Sequence, residues 1–191
     1  MRRPILLALL VLAAAALVPA GAAAQYVSVR GEPWADRITL EPYAGVYFDN
    51  RGRSGPGFDD SGVLAGVRLG LLATDRARLI GDIGYARARH SAAPAGGGDA
   101  VRAESWLATA GGELDVVAAG DTRAALSVLG GAGWRRGADG YDRSTVVAPG
   151  FSIRQRIAPR ADLTLGVRDY IFLGDTPVNH DFALSAGLSI R

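Results

Sequence analysis

His90 and His180 are the only histidines, and His90 is followed directly by Ser91. With a carboxylate such as Asp99 or Asp181, that set would offer a hydroxyl nucleophile, a base and an orienting acid. Its spacing matches no nucleophile motif, and a Ser beside a His in a Gly- and Ala-rich stretch carries little weight. Two solvated loop histidines are the plainer reading. No phosphate-binding glycine loop, metal-ligand cluster or nucleic-acid motif occurs. The expectation is therefore no enzyme: no catalytic, cofactor-binding or metal-binding residue, and no nucleic-acid partner. The chain has no Cys, which removes disulfides, thiolate metal sites and lipid attachment at a cysteine.

The chemistry that does repeat is charge at a fixed parity. Glu41, Arg68, Asp82, Glu113, Asp115, Arg154 and Arg168 each fall in phase with a set of glycines: Gly45, Gly66, Gly70, Gly84, Gly111, Gly131, Gly133, Gly150, Gly166 and Gly187. The opposite phase is apolar. A surface facing water would carry Thr and long charged side chains rather than glycine, which weakens a strand. Glycine fits the inside of a narrow barrel, where eight strands leave room only for side chains. Unpaired charges there would be costly, so a hydrogen-bonded network that plugs the lumen is expected. A gate or narrow ion path is the alternative.

Eight segments position these residues by alternating with period two: Arg37 to Asp49, Val63 to Leu71, Arg78 to Ala88, Glu104 to Val117, Arg123 to Trp134, Ser144 to Gln155, Asp162 to Ile171 and Phe182 to Arg191. Short turns (Ala73 to Asp75, Ala118 to Thr122, Arg156 to Ala161) alternate with longer loops (Asn50 to Gly62, His90 to Ala103, Arg135 to Arg143, Leu173 to Asp181). An up-and-down barrel puts all the turns at one end and all the loops at the other. Phe48, Tyr85, Trp106 and Trp134 lie on the apolar face at the loop ends of their strands, the pattern of an aromatic girdle at a membrane interface. Pro42 and Pro149 each remove a ladder donor and are expected to mark bulges.

Residues 1–24 read as an export signal: Arg2 and Arg3, an apolar run from Ile5 to Val18, then Ala22-Ala23-Ala24. Residues 25–36 form a short polar lead-in and residues 37–191 the barrel domain. The formal charge of +2 comes from Arg2 and Arg3, so the rest is balanced and its basic pI says nothing of nucleic acid. No later apolar stretch approaches the ~20 residues of a membrane helix. A closed barrel is the other structure that satisfies its backbone in lipid.

The chain resembles the small eight-stranded bacterial outer-membrane β-barrels, the OmpA- and OmpX-like class. The resemblance is carried best by Gly166-Val167-Arg168-Asp169-Tyr170 and by Asn179 to Ile190, NHDFALSAGLSI. It implies an all-β, antiparallel, up-and-down transmembrane barrel in a Gram-negative outer membrane. It implies a monomer whose partners are the membrane's lipids, lipopolysaccharide and the assembly machinery. Its role would be structural or surface-facing: envelope integrity, adhesion or lipopolysaccharide contact. The alternatives are a small-solute channel and, further off, a lipid A-modifying enzyme. Such barrels usually end in an aromatic, whereas this chain ends Ile190-Arg191. Arg51, Arg53, Arg102, Arg135, Arg136 and Arg143 lie in the loops, with Arg87 and Arg89 at a strand end, and guanidinium groups suit phosphate. Asp49, Asp59, Asp60, Asp99, Glu104, Asp139 and Asp142 interleave with them, so a mixed, solvated surface is the expectation.

Overall fold

A computed structural model describes residues 37–50, 61–89, 102–137, 140–174 and 178–191. They form eight strands: β1 (Ile38–Phe48), β2 (Ser61–Leu72), β3 (Ala77–Arg89), β4 (Arg102–Ala119), β5 (Thr122–Gly137), β6 (Gly140–Ala158), β7 (Ala161–Leu173) and β8 (Asn179–Ile190). Each strand pairs antiparallel with its sequence neighbour, and β1 pairs with β8 to close the barrel. Closure leaves no strand edge to be satisfied by water.

The pairing fixes the shape. From Leu40 it runs through Leu69, Gly81, Ala110, Gly130, Val147 and Ile171 to His180. Leu40 itself pairs with Ile190, ten residues further along β8. With a strand rise of about 3.3 Å and a spacing of about 4.8 Å, that stagger gives a tilt of about 40° and a backbone radius of about 8 Å. Side chains fill a cylinder that narrow.

The period-two pattern places the two faces. Val63 (65 % exposed), Ile83 (62 %) and Val128 (62 %) point outward, with Leu40, Leu79, Leu114, Leu126, Leu165 and Leu184 among others. The charged phase points inward. This inverts the arrangement of a soluble barrel and needs an apolar surrounding, because exposed apolar area is favourable only out of water.

Three features differ from the sequence expectation. Pro42 and Pro149 are not bulges. The ladder lapses between Leu40 and Tyr43 on the β8 side and between Val147 and Gly150 on the β7 side, but the register is the same before and after. Each ring removes a donor toward one neighbour, and the remaining bonds hold alignment. The register shifts lie at Asp115/Val117 and Arg156/Ala158, beside short turns, where an extra residue tightens the local twist. Finally, β5 and β6 run on to the pair Gly137↔Gly140. Most of the expected loop from Arg135 to Arg143 is thus a strand extension overhanging that rim, and β8 likewise begins at Asn179.

At the opposite rim the β2–β3 turn is stitched by Ala73 N–H to Ala77 O (2.9 Å) and by the Thr74 hydroxyl accepting from Ala77 N–H (2.9 Å). Gly120 takes a positive φ of 58° in the β4–β5 turn, the left-handed conformation that glycine adopts without a Cβ penalty.

Candidate functional site

The lumen holds three layers, ordered by position along the strands. Nearest the short turns, Glu113 and Asp115 of β4 both bind Arg154 of β6. Arg78 approaches Glu113 at 3.5 Å and Arg123 reaches Asp115 at 3.2 Å. Ser152 donates to Glu113 at 3.3 Å. A cavity of about 20 Å³ among Arg78, Arg123, Arg154, Arg156, Asp162 and Arg191 has room for about one water.

One step toward the loops, Asp82 is a hub. It accepts from Arg168 Nη1 at 2.7 Å, Arg68 Nε at 3.0 Å and the Tyr43 hydroxyl at 2.7 Å. Arg68 Nη1 also binds Glu41 at 2.6 Å, and Glu41 accepts from Thr164 at 3.1 Å. Two carboxylates therefore face two guanidinium groups. The Tyr43 ring lies under Arg68, 5.1 Å from its guanidinium carbon. The ring fits because Gly66 and Gly84 face it: a Cβ on either would stand 2.5 or 2.7 Å from its hydroxyl.

The seven charges singled out from the sequence thus fall into two groups, Glu41, Arg68, Asp82 and Arg168 in one and Glu113, Asp115 and Arg154 in the other. All seven are buried.

The third layer is apolar. Leu64, Leu107, Leu129, Val146, Tyr47, Tyr170 and Phe172 all point inward in the loop half of the barrel, each at most 2 % exposed. Phe172 occupies the space that a Cβ on Gly133 would take, at 2.5 Å. Above this layer sits a smaller polar cluster. Asp181 accepts from Arg135 Nη2 (2.5 Å), the Tyr47 hydroxyl (2.5 Å) and Asn50 N–H (3.0 Å). The Arg135 guanidinium stacks on Phe172, 3.1 Å from the ring centroid.

Arg135, Asp49 and Asp181, assigned to loops or loop edges from the sequence, are therefore buried. Asp181 faces inward, whereas the exposed His180 ring binds Asp169 at 3.0 Å; Asp181 is not its partner. His90, Ser91 and Asp99 lie outside the described residues, as do the export signal, the lead-in and the loop residues Arg51, Arg53, Asp59, Asp60 and Asp139. Among the described residues no group of His, Cys, Asp and Glu could hold a metal ion.

On the outer face, Tyr85, Trp106 and Trp134 sit on consecutive strands in one paired row that continues to Arg143. Tyr85 and Trp106 pack with centroids 4.9 Å apart, and the Arg143 guanidinium is 6.0 Å from the Trp134 centroid. Phe48 pairs with Phe182 at the β1–β8 seam. The next outward positions toward the loops are Arg87, Glu104, Arg136 and Tyr141. Glu104 binds Arg136 at 3.0 Å, approaches Arg87 at 4.0 Å and accepts from Tyr141 at 3.3 Å. The Arg136 hydrogen bond holds the Glu104 carboxyl below the usual carboxylate range.

No protein-family model matches the chain, and no curated protein matches it in sequence. Solved structures do match in shape. Neisserial surface protein A (NspA) superposes with a TM-score of 0.54 at 15 % identity, over 81 % of this chain and 96 % of that one. The N-terminal β-barrel domain of Pseudomonas aeruginosa OprF does so with a TM-score of 0.52 at 13 % identity, over 80 % and 95 %. The chain has the fold of the small eight-stranded outer-membrane barrels. Within such a barrel the lumen charges and the outer aromatic row are the two places where side-chain chemistry concentrates. The sequence reading left Arg78 and Arg123 unassigned, although each has the parity of its strand's inward set and meets a lumen carboxylate; it placed Thr39, Ser152 and Thr164 on the inward face without naming their partners.

Proposed function

We propose that this protein is a non-enzymatic outer-membrane barrel with a closed lumen, serving a structural or surface-contact role in the envelope. The observation that supports it most is the paired state of the interior. Charges in the lower half bind one another through short bonds, and an apolar layer stands between them and the loop-side mouth. An ion crossing would have to separate both charge clusters and then pass Leu64, Leu107, Leu129 and Phe172 without its hydration shell. That desolvation is prohibitive unless the lining moves.

The outward apolar wall supports a bilayer as surroundings, and the row of Tyr85, Trp106 and Trp134 suits a lipid–water interface. Residues 1–24 act as the export signal in this reading, the long loops face outside, and the lipids and lipopolysaccharide of the membrane are the immediate partners. The test is conductance of the purified barrel in a planar bilayer. Silence across a wide voltage range is the expected result. Steady, large single-channel currents would replace the plug with the channel reading.

A further inference from the structure

We propose that the turn-side mouth of the lumen binds a monatomic anion of chloride size, held by the guanidinium groups of Arg78 and Arg156. The site goes beyond the envelope role above and lies at the end of the lumen away from the loops.

Competition for carboxylates creates it. Each of three acids at this mouth is shared by two guanidinium groups. Glu113 meets Arg154 and Arg78, Asp115 meets Arg154 and Arg123, and Asp162 meets Arg191 and Arg156. In two of these contests one cation is left over. Arg154 binds Glu113 closely, and Arg78 Nε stands off at 3.5 Å. Arg191 binds Asp162 at 3.0 Å, and Arg156 Nε stands off at 3.7 Å. Both longer distances exceed those of an ordinary hydrogen bond. Arg156 Nε is buried with no hydrogen-bond partner, and the Arg78 side chain is only 9 % exposed. A buried cationic donor without an acceptor is costly.

The two left-over groups border the same space. Arg78 and Arg156 line the cavity of about 20 Å³, together with Arg123, Arg154 and Arg191. Its acids are Asp162, already shared, and Asp121, whose backbone carbonyl accepts from Arg156 N–H at 2.9 Å. Guanidinium groups gathered around so small a space repel one another. A water there accepts hydrogen bonds but must also donate them. An anion only accepts, through stronger charge-assisted bonds, and offsets the repulsion as well. The cavity holds about one water, so a monatomic anion fits and the five atoms of a phosphate do not. Arg78 is on β3 and Arg156 on β6, so the anion joins two strands that share no ladder.

The experiment uses the full barrel and two probes. In crystals grown from bromide, an anomalous peak is expected in this cavity, between Arg78 and Arg156. In phospholipid vesicles, denaturant unfolding is followed by Trp fluorescence while chloride replaces gluconate at constant ionic strength. Gluconate is too large for the cavity, and the exchange leaves screening unchanged. The unfolding constant should fall about tenfold as chloride reaches about ten times its dissociation constant. Arg78→Met and Arg156→Gln should each lose most of that dependence, and Arg87→Ala, at the other rim, should keep it. Absence of a bromide peak from the cavity overturns the proposal. So does an equal unfolding constant in chloride and gluconate, which would make any bromide peak an adventitious ion only. A dependence that survives in both cavity variants places the anion elsewhere and overturns it too. If either variant fails to fold, the wild-type peak and chloride dependence decide. Neither readout depends on conductance, which tests the closed lumen separately.

Discussion

Replacing Asp82 by Ala removes the acceptor of three hydrogen bonds in the lumen. Arg68 keeps Glu41 at 2.6 Å, so its loss is partial. Arg168 loses a carboxylate at 2.7 Å while remaining buried, and the Tyr43 hydroxyl loses its acceptor. Breaking one side of a dry buried ion pair costs about 3–5 kcal/mol, because the surviving charge is left uncompensated. The lower mouth has a cavity with room for about one water and Arg68 stays paired, so the expected cost is at the low end, about 3 kcal/mol. Adding Arg168→Met should recover some of it, since the orphaned cation goes with its partner. The assay is reversible denaturant unfolding in phospholipid vesicles, read by Trp fluorescence and heat-modifiable mobility. The same assay on Glu104→Ala, whose partners lie on the outer rim, should give stability near wild type. If Asp82→Ala stays within about 0.5 kcal/mol of wild type, as an exposed pair would, the inward charges are hydrated and the plug argument fails.

Arg in place of Leu126 or Val128, both outward-facing, should cost about 2–4 kcal/mol near the bilayer midplane; unchanged folding in bilayers would reverse the two faces. Gly66→Val puts a side chain where the Tyr43 hydroxyl stands, at 2.5 Å from an added Cβ. It should destabilise by about 1–3 kcal/mol, and Tyr43→Phe should return some of that in the double variant. Phe172→Ala should cost about 3–5 kcal/mol as a core truncation. It should also raise ion leakage in planar bilayers; unchanged leakage would mean that the apolar layer does not limit passage. Single cysteines placed within residues 51–60 or 91–100 should label on intact cells with an impermeant reagent, and labelling only after the outer membrane is breached would invert the barrel.

The barrel is legible in the sequence because period-two alternation is a backbone property: all eight segments, the face assignments and the short turns follow from it. What alternation does not supply is the content of the lumen's loop half. There both phases are apolar, as in Val63-Leu64-Ala65, Trp106-Leu107-Ala108 and Val146-Val147-Ala148, so Leu64, Leu107 and Val146 carry no facing signal although they point inward. Strand ends are obscured for a compositional reason. Arg135-Arg136-Gly137 reads as loop, yet the ladder continues through it. That composition hides Arg135 as a lumen residue and makes Arg136 one more loop charge, when the strand sends the two to opposite faces. Which charges meet is not readable either, because the ten-residue stagger brings Arg168 of β7 to Asp82 of β3 across the barrel rather than along it.

The seam between β1 and β8 joins the two strands furthest apart in sequence, and Pro42 interrupts its ladder. Side chains compensate at one end, where Tyr47 and Asn50 bind Asp181 and the Asn50 amide donates to the His180 carbonyl at 2.6 Å. Closing so long a loop is entropically the most demanding step, so this latch is expected to form after the other seven pairings. Contacts made that late govern how fast a protein comes apart rather than how fast it assembles. A weakened latch, through Asp181→Asn or Tyr47→Phe, would shorten the lifetime of the closed barrel while leaving its folding rate nearly unchanged. The endurance of the closed barrel would then depend on a few hydrogen bonds at one corner of the cylinder.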